Sequence, residues 1–199
     1  ALAGTCMEAG KTAAACQMVS RMRHRGLTVD VFKATGVSLR RDILAMEDAG
    51  ARNSMIFTDL GIITTTRAVG PALTRTMITD ISAKKPDVIV FELGDGILGT
   101  YGVDSILECD DIRKALTGVV LSANDPVAAW GGVKLLRERF GIEPCAVTGP
   151  ATDNAVGVEI IRDQMKVPAY NALSDGAALG DCVISAIGLD AKFPVAAAN

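Results

Sequence analysis

Histidine and aromatic residues are scarce in this chain of 199 residues: His24 is the only histidine, and aromatic residues make up 4% of the sequence. A single histidine excludes a histidine-rich metal site, and its place in a basic stretch disfavours a Ser-His-Asp mechanism. The five cysteines are odd in number, widely spaced and without a C-x-x-C pair. They argue against a disulfide framework or a zinc site and favour a reducing compartment, so we expect a cytoplasmic protein.

Strong charge and long apolar runs are also missing. The net charge is −3, and the densest basic stretch is the short run Arg21, Arg23, His24 and Arg25. This charge balance gives no electrostatic footprint for nucleic acid. No apolar run approaches the ~20 residues that span a bilayer, and no signal peptide is visible. We therefore expect neither a nucleic-acid partner nor a membrane.

The chain is rich instead in small aliphatic residues, with 49% hydrophobic and 22% charged residues. This composition is typical of helices that pack closely on a parallel sheet. The length suits a single domain with a substantial core, which we take to be residues 1–199. Only Ala1, Leu2 and Ala3 precede the first glycine-rich segment. We therefore expect most of the first strand, or an upstream domain, to precede residue 1.

Hydrophobic periodicity predicts strands that alternate with helices. The predicted strands are 28–33, 54–60, 88–91, 118–122, 145–148 and 167–171, and the predicted helices are 11–25, 42–49, 71–83, 126–140, 154–165 and 177–187. We expect a loop over 34–41 and a frayed end over 195–199. The alternation indicates an α/β fold with a doubly wound, mostly parallel sheet and helices on both faces.

The strongest motif is the segment Gly-Thr-Cys-Met-Glu-Ala-Gly-Lys-Thr, which begins at Gly4. It differs from the strict phosphate-loop pattern G-x-x-x-x-G-K-[ST] because its first glycine stands one position earlier. Glycines let backbone N–H groups turn toward phosphates, and the following helix directs its positive dipole end at them. Lys11 would reach the β- and γ-phosphates, and the Thr12 hydroxyl would bind Mg²⁺. The alternative is a helix cap that merely contains Gly-Lys-Thr.

We assign the whole segment to nucleotide binding: Gly4, Thr5, Cys6, Met7, Glu8, Ala9, Gly10, Lys11 and Thr12. Its form G-T-x-x-x-x-G-K-T resembles the phosphate loop of dethiobiotin synthetases and related proteins of the nitrogenase-iron-protein-like P-loop branch. Two further parts of the chain resemble that family, namely 29–33 with 40–46, and 90–96. The resemblance implies ATP and Mg²⁺ as cofactors and a small-molecule carboxylate or amine substrate, and we expect a homodimer.

The same resemblance assigns roles to residues outside the loop. Lys11 and Lys33 are the candidate catalytic residues, with Lys33 holding an anionic acceptor. Thr12, Asp42 and Glu92 are candidate Mg²⁺ ligands, since Mg²⁺ prefers oxygen ligands and ligands bind at the carboxyl edge of such a sheet. Asp42 could instead cap a helix, and Lys33 could be a surface lysine. The chain departs from the family where Ala34, not proline, follows Lys33, and where 148–150 read Thr-Gly-Pro instead of Ala-Asn-Asp.

Several candidates stay open at this point. Asp95 is either a turn residue or a second active-site carboxylate, and Cys6 fits a loop filler better than a reactive thiol because no base pairs with it. No N-K-x-D guanine signature is present, which favours ATP over GTP by default. The candidates for a substrate wall are hydroxyl residues: Thr35, Ser38, Thr64, Thr65 and Thr66.

Three functions fit these residues. The first is an ATP- and Mg²⁺-dependent ligase or cyclo-ligase that activates a carboxylate or carbamate of a small substrate by phosphoryl transfer. The second is a regulatory or assembly NTPase, in which hydrolysis changes the affinity for a partner. The third is a nucleotide-binding module of a larger protein.

Overall fold

A six-stranded parallel sheet forms the centre of the molecule, with strand order β3-β2-β4-β1-β5-β6. The structure is a computed structural model and describes residues 1–190, so the end predicted to be frayed lies outside the described residues. The strands are β1 (Leu2–Gly4), β2 (Val29–Thr35), β3 (Asn53–Ile56), β4 (Val88–Leu93), β5 (Val120–Ser122) and β6 (Ala146–Thr148). The predicted α/β fold with a doubly wound parallel sheet is confirmed.

Helices connect the strands and cover the sheet. They are α1 (Lys11–His24), α2 (Arg40–Asp48), α3 (Gly70–Ser82), α4 (Val103–Glu108), α5 (Asp110–Ala115), α6 (Pro126–Phe140), α7 (Ala155–Ile160) and α8 (Gly176–Ala186). A Cβ on Gly4 would meet the side chain of Lys11 in α1, whereas Leu121, next to the register partner of Gly4, contacts Gly132 in α6. Because neighbouring residues of a strand point to opposite faces, α1 and α6 lie on opposite faces of the sheet.

The neighbouring strands β2 and β4 form a large part of the core. All seven residues of β2 are buried, as expected for a strand covered on both faces. Phe32 and Phe91 are register partners on β2 and β4, and their rings stack with centroids 4.5 Å apart. The strand β1 lies between β4 and β5, so the order of connections reverses there. In an open α/β sheet a ligand crevice is expected at the carboxyl end of this reversal.

Some predicted elements differ from the structure. The strand β2 runs two residues further than predicted and α2 begins two residues earlier, which together shorten the predicted loop 34–41 to 36–39. The predicted strand 54–60 ends at Ile56 and continues as a 3₁₀ turn, Phe57–Leu60, because the Asp59 carboxylate accepts a hydrogen bond from the Ile56 N–H, 2.9 Å away. Polar bonding within the segment thus replaces sheet pairing.

Two predictions near the carboxyl end also need correction. The predicted helix 154–165 is α-helical only to Ile160 and continues as a π-helical turn, Ile161–Met165. The predicted strand 167–171 is reduced to one parallel bridge between Val147 and Ala169. Within residues 1–190, no helix is both long and apolar enough to cross a bilayer.

Candidate phosphate-binding site

The loop between β1 and α1 has the backbone geometry of an anion cradle. Gly10 and Glu8 have φ angles of 89° and 57°, in the left-handed region. Gly10 occupies the N-cap position of α1, and no side chain caps this helix end. The first N–H groups of α1 therefore have no side-chain partner and are available to an anion at the positive end of the helix dipole.

Lys11 folds back over this loop. Its Nζ donates to the Cys6 carbonyl oxygen, 2.8 Å away, and a Cβ on Gly4 would lie 2.8 Å from the same nitrogen. A side chain at position 4 would therefore displace Lys11 from this place. Burial lowers the pKa of Lys11, and the charges of Glu92, Cys6 and Asp95 partly oppose that effect. A buried ammonium that borders a cavity is stabilised by an anionic ligand such as a phosphate.

Thr12 and Glu92 form the second part of the site. The Thr12 hydroxyl donates to Glu92 Oε2 over 3.0 Å, and the Glu92 residue is only 3% exposed. Burial raises the pKa of Glu92, while the Lys33 charge, the Thr12 hydrogen bond and the Lys11 charge act in the opposite direction. A buried carboxylate at the end of a strand, next to a hydroxyl, is suited to share a cation with it.

Lys33 and Asp42 form a buried ion pair beside Glu92. Lys33 is the register partner of Glu92 on the neighbouring strand, and its Nζ binds Asp42 Oδ2. The Lys33 and Asp42 side chains are 6% and 14% exposed. Leu39, not Asp42, is the N-cap residue of α2. Asp42 is therefore not a helix cap, and Lys33 is not a surface lysine.

One cavity of about 280 Å³ brings these parts together at the carboxyl edge of the sheet. Its lining contains part of the phosphate loop, both lysines and the three proposed Mg²⁺ ligands: Met7, Glu8, Gly10, Lys11, Thr12, Ala13, Lys33, Gly36, Val37, Leu39, Arg41, Asp42, Glu92, Gly94 and Asp95. The loop residues Gly4, Thr5, Cys6 and Ala9, which the sequence also assigned to nucleotide binding, do not line it. The sequence pattern did not indicate the apolar members Val37 and Leu39, because aliphatic residues in a loop carry no chemical signature. Arg41 stood in a family-like segment but had no assigned role.

The donor atoms of the site fit Mg²⁺. Within residues 1–190 no group of three or more His, Cys, Asp and Glu side chains could hold a metal by itself. A hydroxyl and a carboxylate in contact, as at Thr12 and Glu92, suit an ion that keeps several waters and shares phosphate oxygens. Asp42 would have to exchange Lys33 for the ion or one of its waters, so its role as a ligand stays a prediction.

The proposed substrate-wall hydroxyls are not in the cavity lining. The Thr35 hydroxyl donates to the Gly94 carbonyl oxygen over 3.0 Å. Thr65 accepts from the Gly36 N–H and donates to the Tyr101 carbonyl oxygen. These threonines join the loops around the site to one another, and the hydroxyl residue type alone did not distinguish that task from substrate contact.

Solved structures share this fold. The signal recognition particle receptor FtsY from Elizabethkingia anophelis matches with a TM-score of 0.62 and 17% identity, over 91% of this chain and 63% of that one. Chloroplast FtsY from Physcomitrella patens matches with a TM-score of 0.61 and 12% identity, over 94% of this chain and 63% of that one. The chain thus spans under two thirds of either structure, and the likeness shows a P-loop NTPase-like fold. No protein-family model matches the sequence, and no curated protein matches it.

The raised pKa of Glu92 predicts a pH-dependent stability that Glu92→Gln removes. Glu92 titrates above its usual value of 4.5 in the folded protein, so its contribution to stability is complete below that value and is lost as the pH rises through the folded pKa. The neutral Glu92→Gln variant should therefore unfold at a higher temperature than the parent at pH 7, with the difference vanishing below about pH 4. It should also be stabilised less by Mg²⁺ and nucleotide.

Thermal unfolding between pH 3.5 and 8, with and without Mg²⁺-nucleotide, measures both effects. Glu108→Gln, at an exposed carboxylate whose pKa is lowered mainly by a hydrogen bond from Arg139, is the matched control and should show no gain at neutral pH. A Glu92→Gln variant that is less stable than the parent at pH 7 would contradict the expected pKa direction.

Proposed function

We propose that the chain is a Mg²⁺-dependent P-loop NTPase that works as a nucleotide-dependent switch. In this proposal the segment 4–12 holds the phosphates, Lys11 neutralises the transferring phosphoryl group, and Thr12 and Glu92 hold the ion. Mg²⁺, when bound, supplies positive charge at the phosphates. The loops after β2 and β4 change conformation with the state of the γ-phosphate and thereby alter affinity for a partner.

The observation that carries this proposal is the direct packing of the loop after β4 on the phosphate loop. The Ile97 N–H donates to the Gly4 carbonyl oxygen over 2.8 Å, and a Cβ on Gly96 would lie 2.5 Å from the Thr5 carbonyl oxygen. A Cβ on Gly94 would collide with the Thr35 carbonyl at the end of β2. Because these backbone segments are in direct contact, a movement of the phosphate loop would displace the loops after β2 and β4 as well.

The fold comparison gives this proposal further support. One solved structure is of a signal recognition particle receptor, FtsY, a protein named for a macromolecular partner and not for a small substrate, and the other carries the same protein name. The preferred nucleotide follows from neither the site nor the fold, and the expectation of ATP stays a prediction. The expected homodimer and cytoplasmic location are likewise proposals that accompany this function.

A second candidate is transfer of the γ-phosphoryl group to a small acid or amine, as in a dethiobiotin synthetase-like ligase. The observation that favours it is the extent of the cavity, which continues from the phosphate loop to Lys33, Val37 and Arg41. A cation and an apolar wall beside the phosphates could hold a small anionic acceptor. In that case Lys33 would have to release Asp42 when the acceptor binds.

Hydrogen exchange in defined nucleotide states tests the switch. With Mg²⁺ and a non-hydrolysable triphosphate, residues 36–39 and 94–102 should exchange several-fold more slowly than with the diphosphate, because γ-phosphate contacts order them. The α6 helix should exchange equally in both states. ATP and GTP analogues are compared in parallel.

Phosphate release separates the two functions. A switch hydrolyses its nucleotide slowly and indifferently to a panel of dicarboxylates, amino acids and diamines, whereas an acceptor enzyme shows release that depends on one of them. Equal exchange of both loops in the two nucleotide states, together with acceptor-dependent release, would replace the switch by the ligase. Failure of every nucleotide to bind would remove both.

A further inference from the structure

The four carboxylates of the cavity differ in what they already bind. Glu92 accepts a hydrogen bond from Thr12, and Asp42 is paired with Lys33. Glu8 is exposed on the outer part of the phosphate loop. Within residues 1–190 the Asp95 carboxylate has neither a hydrogen bond nor an ion pair, although it lines the cavity. Asp95 is thus the partly buried carboxylate of the site that is free to accept a hydrogen bond.

The backbone holds Asp95 in a specific place at some cost. Its φ is 74°, in the left-handed region that an L-residue rarely adopts. The flanking Gly94 and Gly96 are packed against the carbonyls of Thr35 and Thr5, so the residue between them cannot relax without moving both loops. Strained backbone that is fixed by its surroundings is common where a side chain must be aimed at a reacting group.

Asp95 also lies close to the residues that are expected to bind the γ-phosphate. Its charge acts on Lys11, the residue expected to reach the β- and γ-phosphates. It follows Glu92 on the same strand end, and Glu92 with Thr12 marks the proposed ion. The γ-phosphate is therefore expected near these groups. The Asp95 carboxylate itself packs on Gly99, where a Cβ would collide with Asp95 Oδ2, so no larger residue at position 99 covers it.

We propose that Asp95 is a catalytic residue that accepts a hydrogen bond from the water attacking the γ-phosphate. The proposal rests on the proposed NTPase function and deepens it. The water oxygen forms a bond to the γ-phosphorus, the bond from phosphorus to the bridging oxygen breaks, and its electron pair stays on the nucleoside diphosphate. Both water protons leave with the product as H₂PO₄⁻, which releases one to solvent. Asp95 takes no proton in this balance and fixes the direction of attack.

The cationic groups of the cavity cannot perform this task. Lys11, Lys33 and Arg41 are hydrogen-bond donors only, so they stabilise phosphate charge but cannot accept a hydrogen bond from water. Glu92 and Asp42 would have to give up Thr12 and Lys33 first. Asp95 is therefore assigned because its carboxylate has no hydrogen-bond partner among the residues that the structure describes, and not only because it is a carboxylate.

Asp95→Asn is the test, since asparagine tolerates the left-handed backbone and has the same shape. Single-turnover hydrolysis should fall about 100-fold, with the nucleotide Kd unchanged within about twofold. Asp95→Gly, which keeps the backbone conformation without any side chain, should show the same loss and the same Kd. Asp163→Asn, at an exposed aspartate on the π-helical turn, controls for the change in net charge.

Each outcome decides the proposal. Parent-like hydrolysis in Asp95→Asn would make Asp95 a turn residue and overturn the inference while leaving the NTPase function intact. A Kd that weakens in step with turnover would make it a binding residue and overturn the inference as well. If the parent protein itself neither binds nor hydrolyses ATP or GTP, the proposed function fails before Asp95 is tested.

Discussion

Lys11→Met should reduce nucleotide turnover by about 10²–10³-fold, the usual cost of removing one preorganised group that stabilises transition-state charge. The variant should also bind Mg²⁺-nucleotide more weakly, because the ammonium is expected to contact the β- and γ-phosphates. The fold should be retained or slightly stabilised. The Lys11 pKa is lowered by burial, so the charged group costs free energy in the absence of a phosphate.

Methionine is the informative replacement at this position. The alkyl part of Lys11 packs on Gly4, where a Cβ would lie 2.9 Å from the lysine Cδ, and methionine keeps that contact while alanine would leave a void. Lys134→Met, at an exposed lysine on α6, is the matched control and should leave turnover unchanged. Circular dichroism and thermal unfolding report on the fold, and phosphate release reports on turnover. Normal nucleotide affinity and turnover in Lys11→Met would remove the phosphate-loop assignment.

The parts of the fold that the sequence predicted well are those with a strong local signal. The helix 126–140 was predicted with the bounds that α6 has, because Asp125 accepts a hydrogen bond from the Ala128 N–H, proline occupies the first position and Gly141 ends the helix in a left-handed conformation. The strand β4 was predicted over 88–91 from its apolar residues, and in the structure it continues to Leu93. Local chemistry determined both elements.

The elements that were missed depend on contacts distant in sequence. The short helices α4 and α5 occupy a region for which no element was predicted. Asp104, at the start of α4, is buried and is paired with Arg67, 37 residues away. A six-residue helix has too few turns for a periodic signal, so tertiary contacts decide its existence. The segment 167–171 shows the opposite error. Its composition predicted a strand, but in the structure it forms only one bridge to β6.

Sequence reasoning brought many of the cavity residues together but not their pairings, and their roles in binding stay predictions. Part of the predicted phosphate loop lines one cavity together with Lys33, Asp42 and Glu92. Sequence spacing could not show that Lys33 and Asp42 bind each other, since that contact depends on how α2 returns against β2. It also could not show that Thr35 and Thr65 bond to loop backbone.

The Lys33–Asp42 pair predicts a large loss of stability when only one member is removed. Lys33→Met leaves the Asp42 carboxylate, which is 14% exposed, with only the exposed Arg41 guanidinium at 3.8 Å as a counter-ion. Stranding a buried charge in this way costs about 3 kcal/mol, which lowers the Tm by about 6–12 °C for a domain of this size. The double variant Lys33→Met/Asp42→Asn removes both charges and should recover most of that loss. Thermal unfolding of the two variants measures the coupling.

The recovered double variant then distinguishes the switch from the acceptor enzyme. Compared with Asp42→Asn alone, it differs only in Lys33, so any effect of Asp42 on Mg²⁺ cancels in the comparison. If Lys33 is a structural partner of Asp42 in a switch, the two variants should hydrolyse nucleotide at rates equal within about twofold. If Lys33 holds an anionic acceptor, acceptor-stimulated release should persist in Asp42→Asn and disappear from the double variant, with the loss in kcat/KM and not in nucleotide affinity. A double variant that stays as unstable as Lys33→Met would show that Asp42 is not the charge that Lys33 neutralises, and Glu92, its register partner, would take that place.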